Sequence, residues 1–261
     1  MLAAHLRLVR AGFDRYAVYR TASLAALGTN SVFGLLRASV LLAVIGAAGP
    51  VAGYDAATVV TYVWLGQGLI GLVDLWGVGE LAERVRTGAV AVDLSRPWDL
   101  QAASLSLDLG RAGFALLVRF VPPVVLGALF FPFRMPVHVL TWPAFAASLL
   151  LAVVVCQQFR FLLELTAFWL LDVRGVRAVW LTTSGLLCGL VVPLAFLPAG
   201  VRAVLAASPF PAMIQTPIDV FTERGPAGAL LAGQLLWAVL LVAVGRLVLR
   251  RATRKLVLQG G

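Results

Sequence analysis

The feature that most constrains this chain is its alternation of apolar runs, each about twenty residues long, with short stretches that hold nearly all of its charge. Coiled as a helix, a run of that length crosses the roughly 30 Å hydrocarbon core of a bilayer. No water reaches the backbone there, so each N–H and C=O must be paired within the segment, and a helix does this. Of the 261 residues, 61% are hydrophobic and only 13% charged, against about 25% charged in a soluble domain. The expected fold class is therefore all-α and polytopic: one membrane domain over 1–261, with no soluble unit large enough to act alone.

The runs place six spans at 29–48, 56–77, 104–131, 139–158, 176–196 and 227–248. Gly49-Pro50 closes the first, and Pro132 lies just beyond the third. Ahead of them, Leu2, Leu6, Val9, Phe13, Tyr16 and Leu24 recur at helical spacing with Arg7, Arg10 and Asp14 largely between them, so 1–27 reads as an amphipathic helix lying in the membrane interface. The mixed aromatic and charged stretch 159–175 reads as a second, shorter interfacial helix. No compact apolar core with a small-residue cleavage site opens the chain, so the N-terminus is expected to be uncleaved.

Charge sets the orientation. With a cytoplasmic N-terminus, the inside segments hold fifteen Arg and Lys, and the outside segments hold three: Arg134, Arg202 and Arg224. The positive-inside rule then places both termini in the cytoplasm. The net charge of +9 does not indicate nucleic acid, because the basic residues sit at the ends of apolar runs and build no surface that tracks a phosphate backbone. Lys255 is the only lysine, an Arg-for-Lys bias that reads as GC-rich coding and fits a bacterial plasma membrane. Arg37, Arg111 and Arg119 fall inside spans. They either line a polar surface or pair with Asp74 or Asp108, or, for those near the ends, snorkel to the interface.

Several chemistries are absent. His5 and His138 fall on opposite sides of the membrane, and neither HExxH nor a Cys pair at metal-ligand spacing occurs. Cys156 and Cys188 lie in apolar runs and read as small hydrophobes. A phosphate-binding loop needs Lys followed by Ser or Thr, but Leu256 follows Lys255. ATP and Mg, if used, must bind a partner, and no cofactor is expected on this chain. The other classes weighed are a lipid-modifying enzyme, in which Asp74, Asp108 and Arg111 would converge on a headgroup, and a secondary transporter. Against the transporter, Asp74, Asp108 and Glu164 sit near the cytoplasmic span ends rather than at mid-membrane.

Two segments carry a further signal. In the cytoplasmic loop 78–100, a helix-competent stretch from Glu80 to Thr87 includes Glu83, Arg84 and Arg86, and Gly88 can end it. Asp93, Leu94, Arg96 and Pro97 follow. This loop either presents a short helix to a soluble partner or is a solvated connector. The second segment, 184–225, is punctuated by Gly185, Gly189, Pro193, Pro198, Phe210 and Pro217. Its stretch 197–224 is too apolar for a simple loop, so it is expected to re-enter the outer leaflet.

Together the R-x-G-x-V-A-x-D-L-x-R-P pattern from Arg86 to Pro97 and the S-G…P-L…F-x-P…P-F…P…G pattern from Ser184 to Gly225 resemble the permease subunits of type-2 ABC exporters, in the subfamily of six-span chains about this long. The resemblance implies two ATPase subunits docked beneath a pair of permeases, the second being an identical or paralogous chain. It implies ATPase coupling through Glu80, Glu83, Arg84, Arg86, Gly88, Asp93, Leu94, Arg96 and Pro97. It also implies a hydrophobic or amphiphilic substrate, such as a drug, lipid or lipopeptide, passing near Arg37, Gly185, Gly189, Pro193, Pro198 and Phe210. Glu80-Leu81-Ala82 followed by Gly88 resembles the ATPase-facing loop of ABC importers only loosely, since the Gly stands too far from the Glu.

Overall fold

The computed structural model describes residues 2–18, 20–77, 79–96, 98–170 and 172–257. Pro97 lies outside them. The regular structure is helical apart from an isolated bridge between Val51 and Tyr54. In chain order the helices are α1 Leu2–Ala17, α2 Arg20–Ala48, α3 Ala56–Val73, α4 Leu81–Arg86, α5 Val90–Leu94, α6 Leu100–Ala115, α7 Val121–Phe130, α8 Thr141–Leu165, α9 Arg174–Leu187, α10 Ala199–Ala206, α11 Gln215–Phe221 and α12 Ala227–Val257.

Among the described residues, five segments are long and apolar enough to cross a membrane: Ala25–Ala48, Ala56–Val73, Leu100–Phe130, Thr141–Phe168 and Ala227–Arg254. The segment expected to span at 176–196 forms only the fourteen-residue α9, about 21 Å long and short of the roughly 30 Å a bilayer requires. Its helix stops where Gly189 takes a left-handed φ of +72°, and Pro193 has no N–H with which to resume it.

Other boundaries also differ from the sequence expectation. The leading helix ends at Ala17, and α2 begins at Arg20. The stretch 159–175 is no separate helix at its start, because α8 runs on to Leu165 and a 3-10 turn covers Thr166–Phe168.

α3 is the axis of the bundle. Its side chains are buried on all faces, whereas α2 and α12 bury only a minority of theirs. Asp55 caps the start of α3 by accepting the Thr58 N–H at 2.8 Å. Asp74 ends it in a left-handed conformation, φ 55°. Glycines on α3 admit its neighbours: Gly68 lies against the ring and carbonyl of Phe120, and Gly71 against the side-chain stem of Arg119. Those two partners belong to a π-helical stretch, Leu116–Phe120, that joins α6 to α7. Pro122 and Pro123 follow it and cannot donate to the preceding turn. The Val121 N–H reaches back five residues to Leu116 O.

Directions follow from paired residues. α8 and α12 run parallel: Ser148 Oγ donates to Gln234 Oε1 at 2.7 Å, and Gln101 Nε2 donates both to Gln158 Oε1 at 2.5 Å and to Val242 O at 3.1 Å. α1 runs parallel to α6. His5 Nδ1 lies 2.9 Å from Ser106 Oγ, Val9 O packs on Gly110, and the Phe13 and Phe114 rings meet edge to face at 5.7 Å. Gly12 faces the Leu107 backbone. The segment Leu100–Phe130 spans 31 residues, about 46 Å as a helix. Its first turns therefore outreach a hydrocarbon core, and α1 docks lengthwise on them.

Candidate functional site

Three constellations occupy the chain's two signal segments and the space between them. The first is an α4–α5 hairpin. Glu164 of α8 fills the space beside Gly79 and caps α4, accepting the Leu81 N–H at 2.9 Å. Gly88, at φ +77° with open space where a Cβ would stand, turns the chain into α5. Arg84 grips Asp93 across the turn through both carboxylate oxygens, with Nη2–Oδ1 at 2.6 Å. Underneath, Leu81 and Val90 pack with Phe161, Leu165, Phe168 and Leu249, a small core separate from that of the bundle.

Glu83, Arg86, Val92, Leu94 and Arg96 face outward. Arg86 bonds Glu83 at 2.6 and 3.0 Å and holds its carboxyl below the usual range. Arg96 lies 5.3 Å over the Trp98 ring. Glu80 accepts from Arg15 of α1, which likewise lowers its carboxyl pKa. Of the residues flagged in this loop, Arg84 and Asp93 are thus spent on each other, and Asp93 is buried.

The second constellation is an ionic quartet just inside the hairpin, its two guanidiniums buried and its two carboxylates partly exposed. Arg160 of α8 reaches Asp74 at 2.9 Å and Asp108 at 3.0 Å. Arg111 bonds Asp108 at 2.7 Å and donates to the carbonyls of Gly71 and Leu72 at 3.1 and 2.9 Å. Arg111 therefore pairs and does not snorkel. Two carboxylates and two guanidiniums cancel in charge, the condition under which such a cluster can be buried. Arg119 is half-buried, and its Nε has no partner among the described residues.

The third constellation surrounds the break after α9. Three successive carbonyls left without helical partners are each met from another element. Cys188 O accepts the Gln215 N–H at 3.1 Å, Gly189 O accepts the Tyr62 hydroxyl, and Leu190 O accepts Arg37 Nη1 at 3.4 Å. Gly185 O accepts both Leu190 and Val191 N–H, at 2.8 and 3.1 Å. A Cβ on Gly189 would collide with Gln215 and Leu194. Broken backbone at membrane depth is tolerated when protein groups re-satisfy it, and Arg37, Tyr62 and Gln215 do so here. Pro193 and Pro198 introduce the 3-10 turn Leu194–Phe196 and α10. Phe210 lies farther off, edge to face with Phe159 at 5.4 Å and tilted against Trp180 at 5.9 Å.

One face of α9 joins the hairpin to the break. Arg177 Nη2 donates to Gly79 O at 3.0 Å, Trp180 Nε1 to Leu75 O at 2.9 Å, and Ser184 Oγ accepts from Trp76 Nε1 at 3.0 Å. The spacing i, i+3, i+7 puts all three on one stripe. Arg177, Trp180, Ser184, Tyr62, Gln215, Arg160 and Glu164 are the residues the sequence reading did not single out for these roles. The 177–180–184 spacing was visible, but nothing local named its partners.

Among the described residues, no group of three or more His, Cys, Asp and Glu is placed to hold a metal ion. Cys156 and Cys188 are buried and unbridged.

Long apolar helices around a buried axis, with a polar hairpin at one end, define a multi-pass membrane protein. A family model described as ABC-2 family transporter protein matches residues 32–260, and the chain belongs to that family. It is an ABC transporter membrane subunit, of a family that lacks an ATPase domain and generally pairs with ATPase subunits. No curated protein matches it.

Proposed function

We propose that this chain is the permease subunit of an ATP-driven exporter that moves a hydrophobic or amphiphilic molecule (a drug, lipid or lipopeptide) out of the cytoplasm or inner leaflet of a bacterial plasma membrane. Two separate ATPase subunits bind ATP and Mg, and a second permease, identical or paralogous, completes the membrane unit. The positive-charge bias supports an orientation with both termini, α1 and the α4–α5 hairpin on the cytoplasmic side. Six crossings follow if α9 and the irregular segment after it count as the fifth. The contacts of Arg177 with Gly79, and of Glu223 with Val137, His138 and Thr141, at the two ends of this stretch support that count.

In this reading Glu83, Arg86, Val92, Leu94 and Arg96 meet the ATPase. Glu80, Arg84, Gly88 and Asp93 keep the hairpin in shape, and Pro97 belongs to the same loop. The pathway runs past Arg37, Gly185, Gly189, Pro193 and Pro198, with Phe210 bracing α9. The observation that carries the reading is the stripe Arg177, Trp180 and Ser184, which ties the hairpin's linker to the helix that ends at the Gly189 break. A tilt of the hairpin is passed along α9, and from Arg177 to Gly189 the lever is about 18 Å.

The test is a reconstituted complex bearing Trp180→Phe with Ser184→Ala, which removes two hydrogen bonds and keeps an aromatic ring at position 180. ATPase association and hydrolysis persist, and transport per ATP falls about tenfold, the equivalent of roughly 1.4 kcal/mol. Unchanged transport per ATP would overturn the lever. Failure of any ATPase to co-purify with the unsubstituted chain would overturn the exporter itself.

A further inference from the structure

A cavity of about 570 Å³ opens between α10, α11 and α12, at the end of the bundle away from the hairpin. That volume lies within the range of pockets that hold drug-sized ligands. Of the residues that satisfy the break, Gln215 also lines it, while those invoked for coupling and for the pathway do not.

Its polar side is unbalanced. Asp219 faces the cavity with about a fifth of its side chain exposed. One carboxylate oxygen accepts from Gln215 Nε2 at 2.8 Å and lies 3.9 Å from Arg224 Nε. No hydrogen bond reaches the other oxygen among the described residues. Arg224 is already committed, donating to Gly53 O at 2.8 Å and Ala52 O at 2.9 Å with its guanidinium 3.9 Å over the Tyr54 ring. A second cation, Arg202 of α10, lines the same cavity, and its guanidinium has no ion-pair or hydrogen-bond partner among the described residues. The site therefore presents an anionic acceptor and a cationic donor, each with capacity to spare.

Its apolar side is a groove. Leu230, Gly233 and Trp237 of α12 form one wall, and nothing stands within 4 Å of where a Gly233 Cβ would be. The same stripe continues along α12 through Leu240 and Val244, 41% and 43% exposed. Positions 230, 233, 237, 240 and 244 keep helical spacing, so the groove runs from the cavity into the apolar belt.

We infer that this cavity binds a zwitterionic phospholipid of the outer leaflet, with its ammonium on Asp219, its phosphate on Arg202 and an acyl chain along Gly233, Trp237 and Leu240. A carboxylate recognises an ammonium, and a guanidinium a phosphate, through charge-assisted hydrogen bonds. A lipid lacking the ammonium would leave the Asp219 carboxylate facing like charge. The word "outer" rests on the orientation proposed above; the binding itself does not.

The test is native mass spectrometry of the delipidated, purified full-length chain titrated with phosphatidylethanolamine and with phosphatidylglycerol. Phosphatidylethanolamine binds about tenfold tighter, the weight of one charge-assisted hydrogen bond. Asp219→Asn, which keeps the side chain's shape and its Gln215 partner, removes that preference. Arg202→Gln weakens both lipids alike. Gly233→Leu fills the groove and abolishes binding of the diacyl lipid while a soluble phosphoethanolamine still binds. Equal or tighter binding of phosphatidylglycerol, or a preference that survives Asp219→Asn, overturns the proposal. Because no ATPase is present, failure here leaves the exporter reading intact, and failure of that reading leaves this one intact.

Discussion

The two polar regions along α3 solve the same problem with different chemistry. Near the hairpin, Asp74, Asp108, Arg111 and Arg160 exchange ion pairs, so full charges lock the end of α3 to α6 and α8. At the break, Arg37, Tyr62 and Gln215 each supply one donor to a backbone carbonyl. An ionic lattice leaves an uncompensated charge if any member is withdrawn. A carbonyl met by one donor can exchange that donor for another, or for water, at much smaller cost. The first suits a frame that holds while the hairpin is pushed. The second suits backbone that must rearrange.

The sharpest way to break this contrast is Arg160→Met. Removing one partner from a buried ionic cluster costs roughly 3–5 kcal/mol, so thermal unfolding in detergent shows a large loss, and Arg160→Met with Asp108→Leu recovers part of it. A single substitution that leaves the unfolding temperature unchanged would mean that the quartet frames nothing. Next comes Tyr62→Phe, which leaves Gly189 O without its hydroxyl donor and costs about 1–3 kcal/mol. Here the sharper readout is transport, which falls while ATPase association is retained. If the substitution only lowers stability, the break is merely structural.

The smallest effect concerns the Arg15–Glu80 contact between α1 and the start of α4, where both groups are more than half exposed. Because Arg15 lowers the Glu80 pKa, its contribution is present above the unfolded value of about 4.3. It is lost as pH falls through the lower folded value. The protection factors of the α1 amides, exchange rates corrected for the intrinsic pH dependence, therefore fall modestly in acid, and Glu80→Gln removes that dependence. A dependence unchanged by Glu80→Gln would assign it to another group.

Much of the hairpin was legible from local sequence. Gly88 ends α4 because left-handed backbone favours glycine, and Glu83–Arg86 pair three residues apart on one helix. The break was only half legible. Gly189 and Pro193 mark a weak helix there, but an apolar run reads the same whether it coils or not, so hydropathy alone carries the span through to 196. The quartet was less legible still. Asp108 and Arg111 are three apart, but Arg160 stands 52 residues from one partner and 86 from the other, and no hydropathy pattern joins them. The docking of α1 along α6 depends on small residues at both faces, Gly12 and Gly110, a pattern that composition does not rank above any other pair of glycines.

By itself, the sequence determined that this is an all-helical membrane protein, and its charge asymmetry and loop motifs resembled an exporter permease. Bilayer thickness and the need to satisfy backbone groups act on a chain one segment at a time, so runs and caps can be read in order. Only the tertiary structure decided which helix is the axis, which charges cancel, that the helix of the fifth run breaks at Gly189, and that one stripe of α9 ties the hairpin to the break. Those outcomes depend on groups far apart in the chain meeting within hydrogen-bond distance. That is a property of packing, and residue order alone does not carry it.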